Sequence, residues 1–314
     1  MKMYYIGVDI GGTGIQAGIV DDDGKILFRK ECKTDIDGGF EKITDDMKYL
    51  IEEILSENNL NISEIKSIGF GVPGFVSKKG KVTCINLGWK DVDFINVLKS
   101  KFPKTDIFAD NDATVAALAE AKAGSMKGCN TGIMYTLGTG VGGGIIINGK
   151  VFSGAHNIGS EIGHVIIDSN DYDCNCGNNG CFETFCSATA IINYAKKLIK
   201  ENNETKILEL SNFDIENVNA KVVFDAYRLG DKVAVDVINR FKLYLAKGIA
   251  GIINILDPEI ISIGGGVSRS GDIILDGLKD LVREYITFKD EEFADIVIAT
   301  LEADAGIIGS AFLS

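Results

Sequence analysis

Three thiols fall within eight residues in the stretch CNCGNNGCFE, Cys174 to Glu183, of a chain that holds seven cysteines and two histidines. One histidine, His164, stands ten residues ahead of Cys174. Three chemistries compete for such a set: a disulfide staple, a reactive redox pair, or a metal site. An odd cysteine count, in a long chain whose opening MKMYYIGVDIGG lacks the pattern of a signal peptide, argues for a reducing compartment and against a disulfide framework. No thioredoxin-like CxxC is present. Cys174, Cys176 and Cys181 together with His164 make a Cys₃His set, the number and softness that tetrahedral zinc takes. Four protein ligands leave no coordination position for a catalytic water, so the zinc is expected to be structural. Gly177 and Gly180 supply the freedom that so tight a loop needs.

Phosphate chemistry is suggested elsewhere. Three glycine turns, Gly11-Gly12-Thr13-Gly14, Gly138 to Gly144 (with Thr139 and Gly140) and Gly264-Gly265-Gly266, each follow an apolar strand-like segment. Such turns let backbone N–H groups approach phosphate oxygens, and two of them add a threonine hydroxyl. One alone reads as well as a tight corner; the weight lies in the set. Asp9, at the end of the first apolar segment, suits a magnesium ion held directly or through water. Neither GxxxxGK[ST] nor a helix-opening GxGxxG fits, which points to a nucleotide site of another kind.

In ADNDATVAALAE, Asn111 and Asp112 stand between a strand and a helix. Spacing alone favours a helix cap for Asp112; the alternative is a general base toward a hydroxyl nucleophile, with Asn111 orienting the substrate. Glu161 and His164 lie in GAHNIGSEIGHVIID, a polar, glycine-punctuated segment of the kind that makes binding loops.

The elements that must position these residues alternate. YYIGVDIG and GIQAGIV read as strands, Phe40 to Leu55 as an amphipathic helix, IKSIGFGVPG as a buried strand, DVDFINVLKSKF as a helix and DIFAD as a strand. DATVAALAEAKAG then reads as a helix, and TGIMYTLGTGVGGGIIING repeats the opening strand, Gly-Thr-Gly turn, strand. Beyond the thiols the chain is mainly helical, with a long helix from about Asp231, then the strand EIISIGGG and a closing strand and helix. Alternation of this kind predicts an α/β architecture, and the repeated turn predicts two related lobes with a cleft between them.

Composition bounds the partners. A chain of 314 residues that is 46% hydrophobic buries a sizeable core, more naturally as two domains than one. A formal net charge of −13 repels nucleic acid and anionic membranes. No apolar run approaches the roughly 20 residues of a membrane helix, so a cytoplasmic location is expected.

In their order along the chain, GVDIGGTG, GVPG, NLGWK, NDATVAALAE, LGTGVGGG, GSEIGH, CNCGNNGCFE and IGGGVS resemble the motifs of the ROK (repressor, open reading frame, kinase) family over essentially the whole length. CxCGxxGCxE downstream of ExGH is the most specific of them, and NLGW around Trp89 resembles the ATP-dependent glucokinase branch. The resemblance implies the two-lobed actin-like ATPase fold, a duplicated ribonuclease H-like design. Its small lobe would span residues 1–110, completed by a C-terminal helix at about 301–314, and its large lobe 111–300 with the zinc loop. It implies Asp112 as catalytic base and Gly74, Asn111, Asp112, Glu161, His164 and Glu183 at the sugar. His164, Cys174, Cys176 and Cys181 would hold Zn²⁺. Asp9 would serve Mg²⁺; Gly11, Gly12, Thr13, Gly138, Thr139 and Gly140 the phosphates of ATP; and Gly264, Gly265 and Gly266 the adenosine. The activity implied is phosphorylation of a hexose, glucose first, with N-acetylmannosamine, mannose, fructose or allose as alternatives, in a dimer or tetramer.

A sugar-responsive regulator is the reading from another class. Regulators of the family carry a DNA-binding segment ahead of the first strand, which begins here at residue 4, so the enzyme is expected. Three positions depart from the usual pattern: Thr114 for an asparagine, Ser160 for a glycine and Gln16 for a frequent lysine.

Overall fold

The computed structural model describes residues 3–313. Strands β1 (Tyr4–Ile10) and β2 (Gly14–Val20) form a hairpin, and β3 (Ile26–Lys33) leads into helix α1 (Gly39–Glu57). The apolar residues of α1 recur at helical spacing, and Ile43, Met47, Leu50, Ile51 and Ile54 are all buried as that periodicity requires. The chain continues through β4 (Ile65–Val72), β5 (Phe75–Val76), β6 (Val82–Cys84), β7 (Trp89–Val92), α2 (Phe94–Lys101), β8 (Asp106–Asn111) and α3 (Asp112–Ala123). The expected helix over DVDFINVLKSKF begins only at Phe94; the residues before it pair in a small sheet, β5-β6-β7, that sequence periodicity does not reveal.

After β9 (Thr131–Leu137), β10 (Val141–Ile147) and β11 (Lys150–Val151) comes the thiol segment, followed by α4 (Glu183–Cys186), α5 (Ala188–Glu201), α6 (Lys206–Leu210), α7 (Ala220–Arg228) and the long α8 (Lys232–Leu256). The rest is β12 (Ile260–Gly264), α9 (Gly271–Leu275), α10 (Leu278–Arg283), β13 (Asp295–Ile298) and α11 (Ala305–Ala311).

Two five-stranded sheets run β3-β2-β1-β4-β8 and β11-β10-β9-β12-β13. Each follows the same plan, with the third, second and first strands of its set followed by the fourth and fifth. In the first sheet β1 runs antiparallel to β2 and parallel to β4, and β4 is parallel to β8. The parallel register aligns Asp9 with Gly71 and Asp110 with Gly71, so that β1, β4 and β8 end at one edge. The α/β expectation and the duplication read from the repeated turn are met.

The chain divides into two compact units. One comprises residues 1–134, 144–160 and 299–314, the other 135–143 and 161–298. In the first, α11 lies directly on β1 and β4. A side chain at Gly7 would meet the Ile307 carbonyl at 1.8 Å, and one at Gly69 the Ser310 carbonyl at 1.8 Å, so only glycine permits this approach. Glu120 of α3 is wholly buried, and its carboxylate accepts hydrogen bonds from the N–H groups of Thr300, Leu301 and Ser125 at 2.9, 2.8 and 2.6 Å. A buried carboxyl group costs stability unless it is hydrogen-bonded in this way, so Glu120 fastens the chain's return at residue 300 to α3.

Candidate active site and metal centre

In the first unit, Asn111 is the cap of α3: its Oδ1 accepts from the N–H groups of Ala113 at 2.9 Å and Thr114 at 3.4 Å. Its Nδ2 donates to the Gly74 carbonyl at 3.2 Å, tying the β4–β5 turn to the start of α3. Gly74 is needed there, since a side chain would fall 2.5 Å from the Thr83 carbonyl. Asn111 is therefore the cap, although Asp112 Oδ1 also accepts from the Ala113 N–H at 2.8 Å. Asp112 is the first helical residue and is exposed.

Asp9, at the end of β1, is close enough to Asp112 for their charges to interact. Burial first, and the Asp112 carboxylate second, push the Asp9 carboxyl up to about 6. Gly306 of α11 closes over it; a side chain there would stand 2.4 Å from the Asp9 carboxyl carbon. Two neighbouring carboxylates, one of them desolvated, are hard oxygen donors whose repulsion a divalent cation relieves, and the pair fits magnesium chemistry. The turn Gly11 to Gly14 follows directly. Its Gly11 N–H donates to the Gly14 carbonyl at 2.9 Å, Gly12 and Thr13 are exposed, and nothing lies within 4 Å of a side chain built at Gly12. Gln16, where a lysine is frequent in the family, lies directly across the hairpin from Asp9.

In the second unit the four expected metal ligands come together. One donor atom from each of His164, Cys174, Cys176 and Cys181 lies within 4.8 Å of every other. Cys174 Sγ is 3.5 Å from His164 Nδ1, and the sulfurs of Cys176 and Cys181 are 3.6 Å apart. Zinc–sulfur bonds of about 2.3 Å set tetrahedral edges of about 3.8 Å, whereas a disulfide needs about 2.05 Å. The donor set fits zinc and not a disulfide. Backbone pairing builds it: Ile167 N–H donates to the Gly180 carbonyl at 2.9 Å and Phe182 N–H to the Val165 carbonyl at 2.8 Å, bringing His164 alongside Cys181. Gly177 and Gly180 take φ of +92° and +85°, so both turns use the left-handed backbone that glycine allows. The backbone N–H of Asn178, then the Cys174 thiol, hold the Cys176 thiol down to about 7. Burial pushes Cys181 up to about 12.

Glu161 is exposed at the start of the short turn that carries His164. Glu183 opens α4, with Oε2 accepting from the Val141 N–H at 2.8 Å and Oε1 3.7 Å from Cys174 Sγ. The turn of Gly138, Thr139 and Gly140 is bound to the same region: the Gly138 carbonyl accepts from Ala188 N–H at 2.8 Å and the Thr139 carbonyl from Thr189 Oγ1 at 2.7 Å. Gly264 is buried at the end of β12, while Gly265 (φ +83°) and Gly266 are exposed beyond it.

Sequence reasoning missed what fastens the thiol loop from behind. The Arg240 guanidinium of α8 lies 4.3 Å from the ring centre of Tyr194, 4.9 Å from Phe185 and 5.2 Å from Tyr244. It donates to Asn170 Oδ1 at 3.1 Å, and Asn170 Nδ2 donates to the Thr184 carbonyl at 2.8 Å. Tyr244 donates to Asp168 at 2.9 Å. The signal in the sequence is faint: a lone arginine on a largely apolar helix, with Tyr244 one turn on but Phe185 and Tyr194 far off in the chain. Ser160, at the usual glycine, does adopt a glycine-like φ of +68°, and its hydroxyl donates to the Phe152 carbonyl at 2.5 Å.

The sequence profile of the ROK family matches residues 5–314. A glucokinase from Halalkalibacterium halodurans is 36% identical, with 99% of this chain and 94% of that one covered. A glucokinase from Thermotoga maritima is 35% identical, with 99% and 96% covered. The crystal structure of a ROK family glucokinase from Streptomyces griseus in complex with glucose and AMPPNP superposes with a TM-score of 0.80 at 31% identity, covering 99% of both chains. The fold is accordingly the actin-like ATPase fold of the ROK sugar kinases. A motif order, a profile match and relatives that all extend over nearly the entire length make this chain a member of the ROK family.

Proposed function

We propose that the protein transfers the terminal phosphoryl group of ATP to a hexose, with glucose as the favoured acceptor and glucose 6-phosphate as product. The observation that carries this reading is the division of labour at α3: Asn111 caps the helix and Asp112 stands exposed beside Asp9, in a chain similar to glucokinases from end to end. Phosphoryl transfer asks a protein mainly for positioning and charge compensation. Asp112 accepts the proton of the attacking hydroxyl. Asn111 and the Gly74 turn border it, and Glu161, His164 and Glu183 hold sugar hydroxyls. The amides of Gly11 and Gly12, the hydroxyls of Thr13 and Thr139, and Gly138 serve the phosphates; Gly265 and Gly266, with Gly264 behind them, serve the adenosine. Magnesium brought with the nucleotide and held near Asp9 supplies neutralisation of phosphate charge.

Zinc belongs to the reading as a structural ion on His164, Cys174, Cys176 and Cys181, supplying rigidity to a loop too polar to pack by itself. With Nδ1 of His164 among the ligands, Nε2 remains to meet a sugar hydroxyl. Assembly as a dimer or tetramer in the cytoplasm completes it. Among the described residues no helix is long and apolar enough to cross a membrane.

The test is ADP release by purified protein with glucose, mannose, N-acetylmannosamine, fructose and allose. Glucose should give the highest kcat/KM; another winner would reassign the substrate, and no sugar-dependent release would sink the reading.

A further inference from the structure

The residue pair Gly140-Val141 closes a glycine turn of the type that serves phosphates, yet its surroundings lie on the other side of the chemistry. The Val141 N–H is occupied by Glu183 Oε2 at 2.8 Å. A side chain at Gly140 would fall 2.2 Å from that same oxygen and 3.1 Å from the carboxyl carbon. The Val141 carbonyl lies beneath Gly163, the residue before His164, where a side chain would stand 2.0 Å from it. Gly140 itself lies outside the positive-φ residues, so its backbone suits any amino acid. What demands glycine is the space taken by the carboxylate.

We propose that Gly140 and Val141 are positioning residues for the sugar: the missing side chain of Gly140 is the room in which Glu183 stands, and the Val141 amide aims it. The inference deepens the glucokinase reading and rests on it. One end of the turn answers to phosphate and the other holds the sugar carboxylate and underlies the Glu161–His164 turn. An N–H given to a carboxylate is not available to a phosphate, so the amide of Val141 is excluded from the nucleotide's contacts.

Gly140→Ala tests this in the full-length protein. Titration calorimetry with glucose, and separately with ADP and magnesium, reads the two sides without turnover. Glucose affinity should fall at least tenfold and ADP affinity change less than about twofold, because the methyl displaces Glu183 and leaves Gly11 to Gly14 untouched. Gly140→Ala with Glu183→Asp withdraws the carboxylate by one methylene, and should bind glucose more tightly than Gly140→Ala alone. Loss of ADP affinity with glucose affinity intact would overturn the inference and return Gly140 to the phosphates. Loss of both ligands with no recovery in the double variant would overturn it as well. Parent protein that binds no hexose would instead sink the functional reading, and this inference with it.

Discussion

The turns Gly11 to Gly14 and Gly138 to Val141 carry the same Gly-Thr-Gly between paired strands, and each places an N–H of its first glycine on a carbonyl across the turn at 2.9 Å. Their surroundings differ. The first is open, with exposed Gly12 and Thr13 and free space where a side chain at Gly12 would go. The second is backed by Glu183, Ala188 and Thr189. A glycine can be needed for what approaches from solution or for what the protein itself puts in the gap, and sequence does not tell the two apart. The same division runs through the two units. The first holds the carboxylates Asp9 and Asp112; the second holds the proposed metal ligands together with Glu161 and Glu183.

The largest effect should come from breaking the first set at Asp112. Asp112→Asn keeps the side chain's size and leaves the cap on Asn111, but it removes the proton acceptor. We expect kcat to fall about 10²–10⁴-fold, with melting temperature and ADP affinity near those of the parent. Steady-state kinetics beside thermal melts would show it; near-normal turnover in a folded variant would leave Asp112 without a catalytic role.

Next in size is the metal. Cys176→Ser removes the exposed ligand of the set, and metal analysis should go from about one zinc per chain to none. Glucose affinity should fall roughly 10–100-fold, because Glu161 and Glu183 flank the loop the metal closes. ADP binding should hold. A zinc-free parent with full glucose affinity, or equal loss of both ligands in the variant, would break the assignment.

These two sets were legible to different degrees. The cluster of His164, Cys174, Cys176 and Cys181 could be read from the sequence because three of four lie within eight residues and the fourth shares a loop with them. The strand and helix order was legible for the same reason: periodicity is local. For Asp112, residue type and spacing alone did not choose between cap and base, which share a residue type and a place before a helix; only the family resemblance pointed to the base. The Ala113 N–H is shared by both side chains, and the Thr114 bond to Asn111 marks the cap. The contact of Gly140 with Glu183 joins positions 43 residues apart in the chain, and the seating of α11 on Gly7 and Gly69 joins its two ends. Contacts of that range leave no periodic trace. The small sheet β5-β6-β7 escaped notice because two- to four-residue strands are shorter than any pattern that could announce them.

A smaller effect tests the carboxylate pair. The folded protein raises Asp9 from 3.8 to about 6, so between those values it holds a proton that the unfolded chain has released. Stability from this group is therefore full below about 3.8 and declines as pH rises through about 6. Asp9→Asn removes the burden. In the absence of nucleotide and metal it should be more stable than the parent at pH 8 by roughly 1–2 kcal/mol, with the gap narrowing toward pH 5. Urea unfolding at several pH values measures this. The same variant should bind ADP with magnesium more weakly. A parent equally stable at pH 8 would mean that the Asp9 charge is already compensated by the protein.

The smallest effect sharpens the comparison between the turns most directly. Gly12→Ala adds one methyl group to the first turn as Gly140→Ala does to the second, at the opening rather than the closing glycine of the shared Gly-Thr-Gly. At Gly12 the methyl meets no atom within 4 Å and the backbone is outside the positive-φ region, so folding is not strained. Alanine could even add about 0.4–1 kcal/mol by restricting the unfolded chain. What the methyl does obstruct is the approach of a phosphate to the turn's amides. ADP affinity should drop about three- to tenfold, a modest change because the neighbouring amides and Thr13 remain. Glucose affinity should be unchanged, since the added methyl has nothing within 4 Å and so displaces none of the residues assigned to the sugar. The two alanine variants should therefore fail in opposite directions, one toward nucleotide and the other toward sugar. If both weaken ADP alone, the turns are duplicates in function as well as in sequence, and the carboxylate behind Gly140 is only its neighbour.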